Sequence, residues 1–423
     1  MASTEEIKTA IVDRENDLRK KFREEHIIER ELFKKAESLI SKDVALIITG
    51  PRRCGKSILA FMLGSNKTFA YVNFDDERLI IEATELNKVL EAVYSLKGDV
   101  DFFIFDEIQN INGWEKFISR LIQTKRIILT GSNARLLSKE LSTHLTGRHV
   151  DLTLFPFSFN EFLTLKGLKY NIHSTQDIAK IKNYLEEYLE TGGFPLAQKL
   201  GRIFIVESYR DIVERDILQR YNIRYPVVFK ELARYLISNI SNEISFNQLK
   251  NVLKLKSSHT VKDYVSYLSN AYLLFVLERF SFKLKEQMLA PKKIYCIDNG
   301  IVNAIGFKFS ENKGKAMENL VAIELFRRMN SNKKLEVYYW KDHQQREVDF
   351  VIKDGKKLIQ LIQVTNISSK KEVNKRELDS LLRASTDLRC KNLLVVTYDY
   401  EAEEFYKTKK VRFIPLWKWL LGG

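Results

Sequence analysis

Ala45-Leu46-Ile47-Ile48-Thr49-Gly50-Pro51-Arg52-Arg53-Cys54-Gly55-Lys56-Ser57 is the stretch that decides the fold. Its apolar start, Ala45 to Ile48, reads as a buried strand. Gly50 to Ser57 fits Gly-x-x-x-x-Gly-Lys-Ser, and a helix-like stretch from Ser57 to Leu63 follows. In such a loop the glycines let backbone N–H groups turn inward around phosphate oxygens, and the helix start adds its positive end. The expected cradle is Gly50, Pro51, Arg52, Arg53, Cys54, Gly55, Lys56, Ser57 and Ile58. Lys56 is placed to reach the β- and γ-phosphates of a nucleotide, and the Ser57 hydroxyl to ligate Mg²⁺.

Downstream of the loop, strands and helices alternate. Strand-like runs fall at Thr68–Phe74, Asp101–Phe105, Arg126–Thr130 and His149–Phe155, with helix-like runs at Leu86–Leu96, Trp114–Gln123 and Phe159–Thr164 between and after them. Alternation of this kind predicts a parallel sheet with helices on both faces. Phe102-Phe103-Ile104-Phe105-Asp106-Glu107 is an apolar strand ending in two acids. Asp106 is the natural partner of the Mg²⁺ ion, and Glu107 is placed to orient or deprotonate the water that attacks a γ-phosphate. The next strand ends in Gly131-Ser132-Asn133, where Asn133, with Ser132 as alternative, can reach the γ-phosphate. Leu145-Thr146-Gly147-Arg148 precedes the last core strand. Arg148 there can project into a neighbouring subunit's site as a finger, with Arg135 as the runner-up. Upstream, Ile28-Glu29-Arg30-Glu31-Leu32-Phe33 is expected either to wall an adenine pocket or to form a solvated helix.

The 423 residues exceed what one core needs, and carry 69 Lys and Arg against 55 Asp and Glu, a net charge of +14. That excess points to a polyanionic partner, nucleic acid first. No apolar run is long enough to span a membrane, and no secretory signal opens the chain. Three cysteines, Cys54, Cys296 and Cys390, make neither a disulfide framework nor a zinc pattern, so a reducing cytoplasm is expected.

Four domains are expected: 1–165, an N-terminal helix and nucleotide-binding core; 166–225, a helical lid; 226–289, a winged helix; and 290–423, a second α/β domain. In the third, Val228–Ile240, Phe246–Leu253 and a helix from Ser257 or Ser258 to Leu268 are followed by Tyr272–Phe282, read as a strand pair. Ser258, His259, Thr260 and Lys262 stand at the start of the third helix, where a DNA-reading helix enters the major groove. In the fourth, Glu318 on a helix, Asp349 and Gln363 on adjacent strands can gather Mg²⁺ for phosphodiester cleavage. Thr365 stands where an activating lysine is expected, with Lys370 and Lys371 shortly after it, so the expected reading is an inactive fold kept for binding or assembly.

Gly-Pro-Arg-Arg-x-Gly-Lys-Ser, Phe-Asp-Glu-Ile-Gln (105–109), Thr-Gly-Ser-Asn (130–133), Leu-Thr-Gly-Arg (145–148), Leu-x-Pro-Phe-Ser-Phe-x-Glu-Phe (154–162) and Gly-Gly-Phe-Pro (192–195) together resemble a family of prokaryotic, especially archaeal, AAA+-like ATPases with a winged helix and a restriction-endonuclease-like C-terminal domain. The resemblance implies ATP hydrolysis with Lys56 and Ser57 at the Walker A motif, Asp106 and Glu107 at the Walker B motif, Asn133 as sensor and Arg148 as finger. It also implies nuclease-like metal positions at Glu318, Asp349 and Gln363, with Thr365 departing from the lysine of active nucleases. The expected function is a Mg²⁺-dependent ATPase that acts on DNA as a homo-oligomer. The alternatives are an ATP-gated DNA nuclease and a signalling or scaffold ATPase whose winged helix binds protein. No Asn-Lys-x-Asp guanine signature occurs, so ATP is expected over GTP.

Overall fold

The computed structural model describes residues 2–133, 145, 147–307 and 312–422. Arg135, Thr146 and the helix expected over 134–137 lie outside these residues. The chain divides into two compact units, one made of Met1–Phe155 with Asn270–Tyr272, the other of Pro156–Ser269 with Leu273–Gly423.

In the first unit five strands, β1 (Ala45–Thr49), β2 (Phe69–Asn73), β3 (Phe102–Asp106), β4 (Arg126–Gly131) and β5 (His149–Thr153), form one sheet in the order β2-β3-β4-β1-β5. Every pairing is parallel, as the alternation predicts. β1, β2 and β3 are buried along their whole length, which is why their sequences are continuous apolar runs. Ala45 and Ile47 face the helices Thr4–Glu24, Leu86–Lys97 and Glu115–Leu121, while Leu46 and Ile48 face Phe33–Ser38 and Lys56–Gly64. The long N-terminal helix starts where the Ser3 side chain accepts from the Glu6 N–H and Glu6 reaches back to the Ser3 N–H. The strand order matters for chemistry. β4 lies between β1 and β3, so the phosphate loop after β1 and the acids at the end of β3 face each other across the tip of β4.

The second unit opens with the helices Phe159–Leu165, Thr175–Thr191 and Ala197–Asp211. Gly192 and Gly193 turn the chain between the last two. A Cβ on Gly192, whose φ is +72°, would lie 1.9 Å from Asp298 Oδ1, and one on Gly193 would lie 2.3 Å from the Phe157 carbonyl oxygen. The Gly193 N–H donates to Asp298 Oδ2 at 2.6 Å, and the Phe157 N–H donates to the Gly193 carbonyl at 2.7 Å. Gly-Gly-Phe-Pro is therefore a packing junction that only a bare backbone can make. Gly193→Ala is expected to cost about 3 kcal/mol or more, because the backbone that must give way is hydrogen-bonded on both sides. Chemical denaturation checks this, and an unchanged midpoint would contradict it.

Helices Pro226–Ser238, Phe246–Val252 and Ser258–Asn270 follow as expected. The stretch read as a strand pair is not one. Only β7 (Leu274–Leu277) is a strand there; a short helix, Leu284–Leu289, comes next. β7 pairs antiparallel with β8 (Lys292–Cys296), which also pairs with β6 (Glu243–Ile244). No strand was expected at β8, which completes this three-stranded sheet. The reason is local: Tyr272–Phe282 has strand composition throughout, whereas its partner's strand sequence begins with two lysines.

The remaining strands, β9 (Leu335–Lys341), β10 (Glu347–Asp354), β11 (Lys357–Thr365), β12 (Leu393–Thr397), β13 (Ala402–Tyr406) and β14 (Lys409–Pro415), form a mixed sheet in the order β13-β14-β12-β11-β10-β9. The helix Lys313–Ser331 packs on one face and Lys375–Asp387 on the other. No described helix is long and apolar enough to cross a membrane.

Candidate functional site

Gly50 leaves β1 with φ +141°, and a Cβ there would meet the Leu154 carbonyl oxygen at 2.2 Å, so the loop can start only with glycine. The helix Lys56–Gly64 begins directly after Gly55. Cys54 is buried, its Sγ 3.3 Å from the Leu154 carbonyl oxygen. Burial pushes its thiol pKa up, and the side chain acts as packing beneath the loop. Arg30 braces the loop from outside the motif. Its guanidinium is buried and donates to the carbonyls of Cys54 at 3.0 Å and Phe155 at 2.7 Å. The segment around Arg30 was expected either to wall an adenine pocket or to form a solvated helix; the structure shows Arg30 holding the loop backbone. Nothing in the local sequence separates this arginine from its charged neighbours.

Lys56 is buried, and its ammonium donates to the carbonyls of Gly50 at 3.2 Å and Pro51 at 3.0 Å while lying 3.7 Å from Glu107 Oε1. Asp106 is buried at the end of β3 and accepts from the hydroxyls of Tyr71 and Thr130, with the Ser57 side chain close by. Burial first, then the Glu107 charge, raises the Asp106 pKa. Burial, helped by the Asp106 charge, likewise raises that of Tyr71 well above its ordinary value. Glu107 sits in the left-handed region, φ 54° and ψ 41°. A non-glycine residue is held there at a cost, and such positions concentrate at functional sites. Its N–H donates to Thr130 Oγ1 at 3.0 Å, and its carboxylate accepts from the Gln109 amide. Gln109 Oε1 is buried with no hydrogen-bond partner.

The structure thus gathers Lys56, Ser57, Asp106 and Glu107 into one site. Ser132 and Asn133 are fully buried just beyond β4, while Arg148 is exposed ahead of β5. Thr130 and Tyr71 are the functional residues that sequence reasoning missed. Thr130 links the two acids from the intervening strand, and only the strand order reveals it. The set of a hydroxyl beside a buried carboxylate is all oxygen, which suits Mg²⁺.

Residues 42–163 match the AAA domain family, residues 182–312 a domain of unknown function (DUF8612) and residues 313–419 another (DUF4143). The uncharacterized protein MJ1544 of Methanocaldococcus jannaschii is 36% identical, the match covering 92% of this chain and 93% of that protein. The chain belongs to the same family as that protein, and carries an AAA domain over residues 42–163. An uncharacterized protein of Haemophilus influenzae is 28% identical over 90% of this chain and 94% of its own. Among solved structures, the Walker-type ATPase PABY2304 of Pyrococcus abyssi is similar at a TM-score of 0.43 and 17% identity, over 66% of this chain and 96% of that one.

In the second unit Glu318 and Asp349 do converge, but on a lysine. Lys293, from β8, lies 2.9 Å from Glu318 Oε1, 2.6 Å from Glu347 Oε1 and 3.2 Å from Asp349 Oδ1. Asp349 is aimed there by a bulge of β10 against β9, where the register shifts between Val348 and Val351. Gln363 does not present its oxygen to this point. Its amide N–H donates to Asp349 Oδ2 at 2.7 Å, and its Oε1 is buried with no hydrogen-bond partner. Among the described residues no group of three or more His, Cys, Asp or Glu side chains is arranged to hold a metal ion. Lys370, considered as a migrated activating lysine, pairs with Glu404 at 2.8 Å instead. On the helix Ser258–Asn270, Val261, Tyr264, Val265 and Leu268 are buried, His259 and Lys262 are exposed, and Ser258 and Thr260 are half-buried.

Proposed function

We propose that the protein is a Mg²⁺-dependent ATPase that acts on DNA. The observation that carries the first part is the convergence of Lys56, Ser57, Asp106 and Glu107 across the tip of β4. Lys56 would turn from the Gly50 and Pro51 carbonyls to the β- and γ-phosphates, exchanging neutral acceptors for charged ones. The Ser57 hydroxyl and the Asp106 carboxylate would hold Mg²⁺, which when bound neutralises developing phosphate charge. Thr130 keeps Asp106 and Glu107 in fixed relation. Glu107, with Gln109 orienting its carboxylate, takes the proton of the attacking water. Asn133 would sense the γ-phosphate, and Arg148, being exposed, would reach the site of a neighbouring copy.

The net charge of +14 and the exposed His259 and Lys262 support DNA as the polyanion. Purified protein should hydrolyse ATP only with Mg²⁺ present, and duplex DNA should raise the rate. DNA affinity should fall steeply with salt, log K losing about 0.9 per decade of salt for each phosphate contact. A rate indifferent to every DNA form, with no DNA binding at low salt, would overturn the DNA part and leave the ATPase part standing.

A further inference from the structure

The acidic centre of the second unit surrounds a side chain at the point where phosphodiester cleavage would place a cation. Three carboxylates, Glu318, Glu347 and Asp349, face the Lys293 ammonium at 2.6–3.2 Å. The ammonium donates to Glu318 Oε1 and Asp349 Oδ1, and Glu347 adds a third ion pair. The acids have further partners as well. Tyr295, two residues along β8, donates to Glu318 Oε1 at 2.7 Å. The Gln363 amide and the Val364 N–H donate to Asp349 Oδ2 at 2.7 and 2.9 Å. The Lys293 side chain is only 2% exposed. An isolated buried ammonium would be very costly, and so would three buried carboxylates. Each makes the other tolerable.

We propose that Lys293 is the resident cation of this centre, standing in for a divalent metal ion. Its charge sits at the focus of the acids and repels any second cation. The consequence is that the C-terminal domain does not cleave nucleic acid. Its acids instead tie β8 to β10 and to the helix Lys313–Ser331. Thr365 is then no isolated loss, because a lysine there would have no metal-bound water to activate.

Mn²⁺ titration of the nucleotide-free full-length chain, followed by electron paramagnetic resonance, tests this with the metal alone as probe. Wild type should show no site that depends on Asp349. Lys293→Met keeps the stem and removes the charge, leaving three carboxylates around an apolar tip. It should gain one Mn²⁺ site that wild type lacks over the same metal range, a rise in affinity at this centre of at least about 10- to 100-fold, the range by which single changes around a metal centre move affinity. Asp349→Asn in that background should abolish the gain. A wild-type site lost in Asp349→Asn, or a folded Lys293→Met chain without added affinity, would overturn the proposal. Where Lys293→Met does not fold, wild type decides alone. Cleavage of duplex, single-stranded or branched DNA with Mn²⁺, lost in Asp349→Asn, overturns the proposal; no cleavage and no Mn²⁺ site sustain it.

Discussion

Glu107→Gln should bind ATP as wild type does and hydrolyse it about 10²- to 10⁴-fold more slowly, the range attributed to a positioned general base. The substitution keeps the shape of a side chain held in the left-handed region, so the Thr130 bond to its N–H is untouched. What it removes is the ability to take a proton. It also removes a negative charge beside Asp106, one that raises the Asp106 pKa, so Asp106 should ionise more readily in the variant. Binding should therefore not suffer, because Lys56, Ser57 and Asp106 remain in place. Single-turnover hydrolysis beside equilibrium ATP binding separates the two effects. Hydrolysis at the wild-type rate would mean that Glu107 is not the base and that the site is wrongly assigned.

How much of this was legible in the sequence follows from how local each feature is. β1 and β3 are buried on both faces, so their apolar runs and the motifs ending them could be read directly. β13, Ala402–Tyr406, escaped notice because it is an edge strand with alternating exposure and two glutamates, a composition that reads as a loop. Thr130 and Tyr71 gain their roles from the order of parallel strands, which no spacing encodes. Lys293 was hidden for a stronger reason. Its three partners lie 25, 54 and 56 residues away, and Lys-Lys-Ile-Tyr-Cys looks like a strand entering from a lysine-rich surface. The acids at 318 and 349 were singled out, with Gln363, as metal positions, and the structure brings the two acids together on Lys293. Their chemistry depended on what stood between them.

Lys56→Ala should remove ATP binding while leaving the fold intact. In the nucleotide-free chain the Lys56 ammonium bonds two loop carbonyls, and alanine at the first position of the helix Lys56–Gly64 keeps the helix favourable. Bound ATP would offer it two charged phosphates instead. Charge-assisted bonds contribute about 1.5–3 kcal/mol each, so two account for about 3–6 kcal/mol, or about 10²- to 10⁴-fold in affinity. ADP lacks the γ-phosphate and should lose only about half that free energy, which gives the substitution a signature that general damage to the loop would not produce. Thermal unfolding reads the same effect. ATP at about 100 times its dissociation constant stabilises a chain by about 2.7 kcal/mol, and that increment should vanish in Lys56→Ala while the nucleotide-free midpoint stays near wild type. Equal losses for ATP and ADP would place Lys56 on the β-phosphate alone, and wild-type affinity for both would refute its role in binding.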